Sequence, residues 1–110
     1  MTWRVDYTDD ALRDLQSIFD YISLVLLEPV TAAQQADRIM DAADSLDSMP
    51  LRHRLYDKEP WRSKGLRVLP VDSYLVFYLP DENQHSVAII RIMYGGRDVD
   101  SIISKTGEIS

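Results

Sequence analysis

The chain has 110 residues, 45% of them hydrophobic and 27% charged, with a net charge of −6 and no cysteine. This length supports one ordinary core and not two. The absence of cysteine excludes a disulfide scaffold, a thiolate zinc site and a thiol nucleophile together, and fits a reducing compartment. No apolar run approaches the roughly 18 residues of a membrane span. The N-terminus also lacks the basic and apolar regions of a signal peptide. A cytoplasmic location with no membrane partner is expected.

Trp3 to Tyr7 alternates apolar and polar residues, the period of a half-buried strand. Thr8 offers a capping oxygen, and Asp9 and Asp10 suit the positive end of a helix. Leu12, Leu15, Ile18, Phe19, Ile22 and Leu26 then recur at spacings of three and four, one face of an amphipathic helix. Glu28-Pro29 interrupts it, because proline disfavours helix at the residue before it. A second helix begins around Pro29 or Thr31, with Ala32, Ala36, Ile39, Met40, Ala43 and Leu46 as its buried stripe and Pro50 marking its end. Its small alanines favour close packing in a helical hairpin.

From Pro50 to Gly65 no period is present, and an ordered loop is expected. Three β segments follow. Leu66 to Val71 is a short strand closed by Asp72-Ser73; Tyr74 to Leu79 is rich in aromatic and β-branched residues and ends in the turn Pro80 to Asn83; Ser86 to Tyr94 is the most apolar and is expected centrally. Gly95-Gly96 breaks the last strand, and Asp98 to Ile103 suits one or two helical turns. The order β-α-α-β-β-β predicts an α+β domain over residues 1–104, an antiparallel sheet with an α-helical hairpin on one face, followed by a flexible tail at 105–110.

Charge is unevenly spread. Residues 1–50 carry ten acids against three bases, whereas 51–110 carry eight against nine. Arg52, Arg54, Lys58, Arg62, Lys64 and Arg67 crowd together, with His53 among them. Such a run is either a solvated loop or a local basic face that attracts phosphate or an acidic partner, since salt screens it from distant acids. No phosphate-binding glycine loop, zinc-protease helix, nucleophile elbow or calcium loop is present. His53 and His85 have no second histidine at ligand spacing, so neither a metal nor a cofactor is expected.

Arg91 lies inside the apolar strand Val87 to Met93, where an unpaired charge is prohibitively costly. Alternation puts it on the face opposite Ile90 and Ile92. Two readings stand: a pair with an acid such as Asp98, or a place in a basic groove with Lys64, Arg67 and Arg97. The aromatics Tyr56, Trp61, Tyr74, Tyr78 and Tyr94 share this half of the chain, either as a stacking surface for RNA or as core and loop anchors.

Three segments in order, Tyr7 to Leu15, Arg67 to Tyr78 and Ile90 to Asp98, resemble the helix entry, hallmark strand pair and Arg-Asp turn of the RelE/ParE superfamily of type II toxins. The resemblance spans nearly the whole chain. It implies a toxin neutralised by a cognate antitoxin, and two mechanisms. RelE-like members cut mRNA on the ribosome, with basic residues at the scissile phosphate and an acid–base group beside them. ParE-like members inhibit DNA gyrase. RelE-like nucleases usually place an arginine where this chain has Leu75 and a tyrosine where it has Ile103. The Gly95-Gly96-Arg97-Asp98 turn leans towards the ParE-like branch. That reading makes Arg67, Arg91, Arg97, Tyr94, Arg62 and Lys64 the target-binding residues. The alternative, a ribosome-dependent mRNA endonuclease, would use Arg67, Arg97, Tyr94 and His53. An inactive relative that keeps only antitoxin binding is a third reading, and the sequence leaves a homodimer open.

Overall fold

The computed structural model describes residues 2–106. Strand β1 (Arg4–Tyr7) leads into helix α1 (Asp9–Asp20), one π-helical turn (Tyr21–Val25) and helix α2 (Pro29–Asp44). Two 3-10 turns (Ser45–Asp47 and Pro50–Arg52) and the short α3 (Trp61–Lys64) precede β2 (Arg67–Val71), β3 (Tyr74–Asp81), β4 (Ser86–Tyr94) and α4 (Val99–Lys105). The local signals act as expected at the helix starts. The Thr8 hydroxyl accepts from the Ala11 amide at 3.1 Å, and Pro29 opens α2, where its missing N–H has no intrahelical partner to lose. Of the tail expected at 105–110, residues 107–110 lie outside the described residues.

The sheet order is β1-β4-β3-β2, so the most apolar strand does lie inside the sheet. β3 runs antiparallel to both β2 and β4, but β1 runs parallel to β4, and the sheet is mixed where an antiparallel one was expected. Tight turns dictate antiparallel pairing for β2, β3 and β4. No such turn joins β1 to β4, which meet only after the hairpin and two strands have intervened, so the chain is free to enter in parallel.

Each face of the sheet carries its own core. On one, Ala11, Ile39, Ala43 and Leu46 of the hairpin side pack on Val71, Val76, Tyr78, Val87, Ile89 and Ile92. On the other, Tyr56, Trp61 and Ile103 close over Leu66, Val68, Phe77, Ile90 and Met93. Ile22, Ala32, Ile39, Ala43 and Leu46 of the expected hairpin stripes are buried, and a few positions differ. Ala11 is fully buried while Leu12, Leu26 and Met40 are exposed, and Gln35 is buried instead. Helix α1 docks through its first turn at Ala11, and Gln35 is drawn inwards because its amide donates to Asp72 in the β2–β3 turn at 3.1 Å.

A β-bulge interrupts the pairing of β3 with β4. Phe77 faces Arg91 and Tyr78 faces Ile89, leaving Ile90 as the extra residue. Ile90 and Ile92 therefore lie on opposite faces, in different cores, rather than together as alternation implied. Helix α1 satisfies backbone groups at this bulge. The Thr8 hydroxyl donates to the Ile90 carbonyl at 3.0 Å, and the Ile92 amide donates to the Asp14 carboxylate at 3.0 Å.

Candidate functional site: a charged groove on the face away from the hairpin

The segment after α2 has no helical period because it is held by the sheet. The Val68 amide donates to the Arg54 carbonyl at 3.1 Å and the Tyr56 amide to the Leu66 carbonyl at 2.8 Å, so residues 54–56 lie extended along the edge of β2. Across from them, Tyr94 to Arg97 forms a tight turn, with the Arg97 amide donating to the Tyr94 carbonyl at 3.2 Å. A Cβ on Gly96 would stand 2.4 Å from the Tyr94 ring, so only glycine lets the ring lie over this turn. Asp98 then caps α4, accepting from the Ser101 amide at 3.3 Å. Helix α4 is fastened by buried Ile103, whose carbonyl accepts from the Trp61 indole at 3.2 Å, and by Asp100, which accepts from the Tyr56 hydroxyl at 2.6 Å.

Between these two walls runs a groove of about 440 Å³. Leu75 and Phe77 give its apolar lining, Arg54, Lys58 and Arg97 its cations, and Asp57, Asp98 and Asp100 its acids. The acids are largely engaged: Asp98 as a cap, Asp100 with Tyr56 and, at 3.8 Å, with Lys58. Arg54 and Arg97 make no side-chain hydrogen bond or ion pair among the described residues. Burial, and then the bond to Asp100, push the Tyr56 phenol up from its ordinary pKa, so it stays protonated near neutral pH. The groove thus offers two uncommitted guanidinium groups beside an apolar surface, an arrangement that binds an anionic group next to an apolar one. Among the described residues no three His, Cys, Asp or Glu side chains come together as metal ligands.

The residues singled out by sequence divide among several places. Arg67 sits opposite Tyr78, on the hairpin face, and donates to the His53 carbonyl at 2.6 Å. His53 meets the edge of Tyr78 at 6.2 Å. Its imidazole is held below its ordinary pKa by burial and by Arg52 and Arg67, and its Nε2 is buried with no hydrogen-bond partner among the described residues. Arg67 and His53 therefore form one cluster, separated from Arg97 by the sheet. Arg91 pairs with Asp14 of α1, not with Asp98: its Nε and Nη2 donate to the two carboxylate oxygens at 2.6 and 2.9 Å, and its Nη1 to the Thr106 hydroxyl at 3.1 Å. Tyr94 is half exposed, edge-on to Tyr74 at 5.9 Å. Arg62 and Lys64 are exposed on α3, with the Lys64 ammonium 5.0 Å from the Trp61 ring.

Of the aromatics, Tyr56, Trp61 and Tyr78 are buried, which removes them as stacking platforms and leaves Tyr94 as the exposed one. Arg54 and Lys58 were read as part of the basic run but not singled out for the site, and Asp14 was not singled out as an anchor. The signal for the first two was available: Arg54, Tyr56 and Lys58 recur at every second residue and all line the groove, the spacing of an extended segment. Nothing in the sequence marks Asp14, which reads as one of several acids on the polar side of α1.

A family model described as the ParE toxin of the type II toxin–antitoxin system parDE matches residues 5–99. No curated protein matches the sequence significantly. Among solved structures, the chain resembles one of the chromosomal ParDE system from P. aeruginosa, with 21% identity, a TM-score of 0.69, and 84% of this chain and 96% of that one covered. It also resembles one of the RelBE2 toxin–antitoxin complex from Mycobacterium tuberculosis, at 23% identity and a TM-score of 0.61 over 86% and 99%. Free E. coli RelE, at 11% identity, gives a TM-score of 0.67 over 96% and 95%. These likenesses carry the fold. Because the family model spans most of the sequence, the chain belongs to the ParE toxin family of type II toxin–antitoxin systems.

Proposed function

We propose that the chain inhibits DNA gyrase through the groove face, in the cytoplasm, and that a cognate antitoxin neutralises it. The observation that carries this reading is the groove's chemistry. It pairs Arg54 and Arg97 with an apolar lining, while its one hydroxyl from a phenol, Tyr56, is tied to Asp100. A nuclease needs a group beside the phosphate that exchanges a proton with the ribose hydroxyl or the leaving oxygen. At the two positions where RelE-like nucleases usually place an arginine and a tyrosine, Leu75 lines the groove and Ile103 is buried in the core. Of the two proton carriers in the endonuclease reading, His53 belongs to the cluster on the opposite face, and Tyr94 stands at the adjoining turn outside the groove's lining. A binding surface fits these residues better than one that cleaves RNA through the ribose hydroxyl.

The ParE family match supports the same branch, and the ParDE, RelBE2 and archaeal RelE-RelB structures support an antitoxin as partner. In this reading Arg54, Arg97 and Lys58 engage the target, with Tyr94 at the adjoining turn. Arg67 and Arg91, committed to His53 and Asp14, act as structural residues. The test is inducible expression of the protein alone in bacteria, scoring growth, DNA breaks and mRNA ends, with gyrase supercoiling by the purified protein alongside. Growth arrest with DNA breaks and intact mRNA is the expected result. New mRNA ends would replace it with the endonuclease reading, and unimpaired growth with the inactive relative.

A further inference from the structure

The groove is bridged by its own side chains. Arg54, Tyr56 and Lys58 stand on the extended segment beside β2, and Arg97 to Asp100 stand across from them on the turn and the start of α4. Among the described residues, every side-chain hydrogen bond or ion pair between these two walls ends on the Asp100 carboxylate. The Tyr56 hydroxyl donates to one of its oxygens at 2.6 Å, and the Lys58 ammonium stands 3.8 Å from the other. The Tyr56 end of this bridge is rigid. Its ring is buried, edge-on to Phe77 with centroids 5.8 Å apart, and its amide donates to the Leu66 carbonyl at 2.8 Å. Burial, and then the bond itself, raise the pKa of the phenol, so it remains a donor around neutral pH.

The Asp100 end depends on the bridge. Helix α4 has seven residues, too few to hold itself in water. Its other polar fasteners, Trp61 to the Ile103 carbonyl and Arg91 to Thr106, act further along the helix, and Val99 adds a partly buried apolar contact. The backbone passes the restraint from Asp100 to the turn. The Ser101 amide donates to the Asp98 carboxylate at 3.3 Å, the Val99 amide to the Arg97 carbonyl at 2.8 Å, and the Arg97 amide to the Tyr94 carbonyl at 3.2 Å. Arg54 lies two residues from Tyr56 on the opposite wall. One hydrogen bond therefore governs how far apart the two uncommitted guanidinium groups stand. Folding alone does not call for it. Phenylalanine would keep the buried ring, and Asp100, with its side chain 55% exposed, would return to water rather than be stranded.

We infer that Tyr56 is a positioning residue for target engagement: its hydrogen bond to Asp100 sets the width of the groove and the spacing at which Arg54 and Arg97 meet the target. The physical reason is pre-organisation. Two cations held at a fixed separation engage their partner groups together, whereas cations on walls that move apart must lose that freedom on binding. The inference rests on the reading of the groove as the inhibitory surface, and it holds whichever target the groove takes.

The test compares the whole chain with Tyr56→Phe, Asp100→Ala, Asp100→Asn and the double variant Tyr56→Phe/Asp100→Ala, with Arg54→Ala and Arg97→Ala alongside. Growth inhibition is scored per folded molecule, with melting temperature and amide hydrogen exchange measured on the purified proteins. Tyr56→Phe and Asp100→Ala are each expected to weaken inhibition about tenfold or more, with little change in melting temperature. Exchange is expected to quicken about tenfold at Arg97, Val99 and Ser101 and to stay unchanged along β4. The double variant is expected to lose no more than either single one, because both remove the same bond. Asp100→Asn keeps an oxygen that accepts from the phenol, and is expected to fall between Asp100→Ala and the native chain. Full inhibition by Tyr56→Phe, where Arg54→Ala and Arg97→Ala abolish it, would overturn this inference and leave the groove reading standing. Additive losses in the double variant, or Asp100→Asn as impaired as Asp100→Ala, would overturn it too. A native chain that does not inhibit growth, or arginine variants that inhibit as well as the native chain, would overturn both.

Discussion

On one face of the sheet, helices of 12 and 16 residues lay Ala11, Ile39 and Ala43 on the strands in a continuous buried core. On the other, helices of four and seven residues and an extended segment cover only part of the surface, and the uncovered part is the groove. Long periodic helices pack side by side and seal a face. Short, irregular pieces must be fastened individually, by Trp61 to Ile103 and by Tyr56 to Asp100, and the gaps between fasteners are where charged side chains stand free. The first face is thus expected to carry most of the stability, and the second the proposed recognition. The Asp14–Arg91 pair joins them, linking α1 to β4 and, through Thr106, to the end of α4.

That link is the place to break the comparison most forcefully. Both partners are largely buried, so Arg91→Ala is expected to cost about 3–5 kcal/mol in urea unfolding, because it strands the Asp14 carboxylate. An Asp14→Asn/Arg91→Met double variant is expected to recover much of the loss, whereas equal damage in both would mean that the charge pair is not what matters. Within the hairpin face, Ile39→Ala removes a fully buried side chain and is expected to lose about 2–5 kcal/mol. Its inhibitory activity per folded molecule is expected to stay unchanged.

The groove is expected to respond the other way. Arg54→Ala and Arg97→Ala are expected to alter stability by about 0.5 kcal/mol or less while abolishing growth inhibition. If the hairpin variant lost activity per folded molecule and these did not, the two faces would have to exchange roles. The smallest expected effect is a pH dependence. His53 has its pKa lowered by burial, Arg52 and Arg67, so the folded state favours the neutral ring more than the unfolded chain does. Its contribution is therefore fully present above the unfolded value of about 6.5 and is lost as pH falls through the lower folded value. Urea midpoints between about pH 5 and 7 are expected to fall more steeply in the native protein than in His53→Gln. Parallel slopes would remove His53 as the titrating group.

Much of the fold was legible because it is written in short-range patterns. The Thr8 cap, the proline opening α2 and the apolar, aromatic and β-branched runs of β3 and β4 each concern neighbours within a few residues. Burial was less legible. Leu12 and Met40 share the apolar character of the buried residues beside them, yet both are exposed, because the facing strands receive Ala11 and Ala43 instead. For the site, the basic run of 52–67 was visible, but not its division. The sheet passes between Arg67 and Arg97, and separates by a whole layer two arginines that sequence placed in one groove.

By itself, then, the sequence determined the order and type of the elements, the helical hairpin, the central place of β4 and the family. The family was read from the resemblance of three segments; the rest depends on local hydrogen bonding and hydrophobic patterning, which a single chain segment carries within itself. The tertiary structure decided the parallel entry of β1, the bulge at Ile90, the choice of Asp14 as partner for Arg91 and the meeting of Arg54 with Arg97. Each of these joins residues more than ten positions apart, and all but the bulge join residues tens apart. Such pairings depend on how layers stack and where one extra residue shifts a strand's alternation, and no local pattern encodes either.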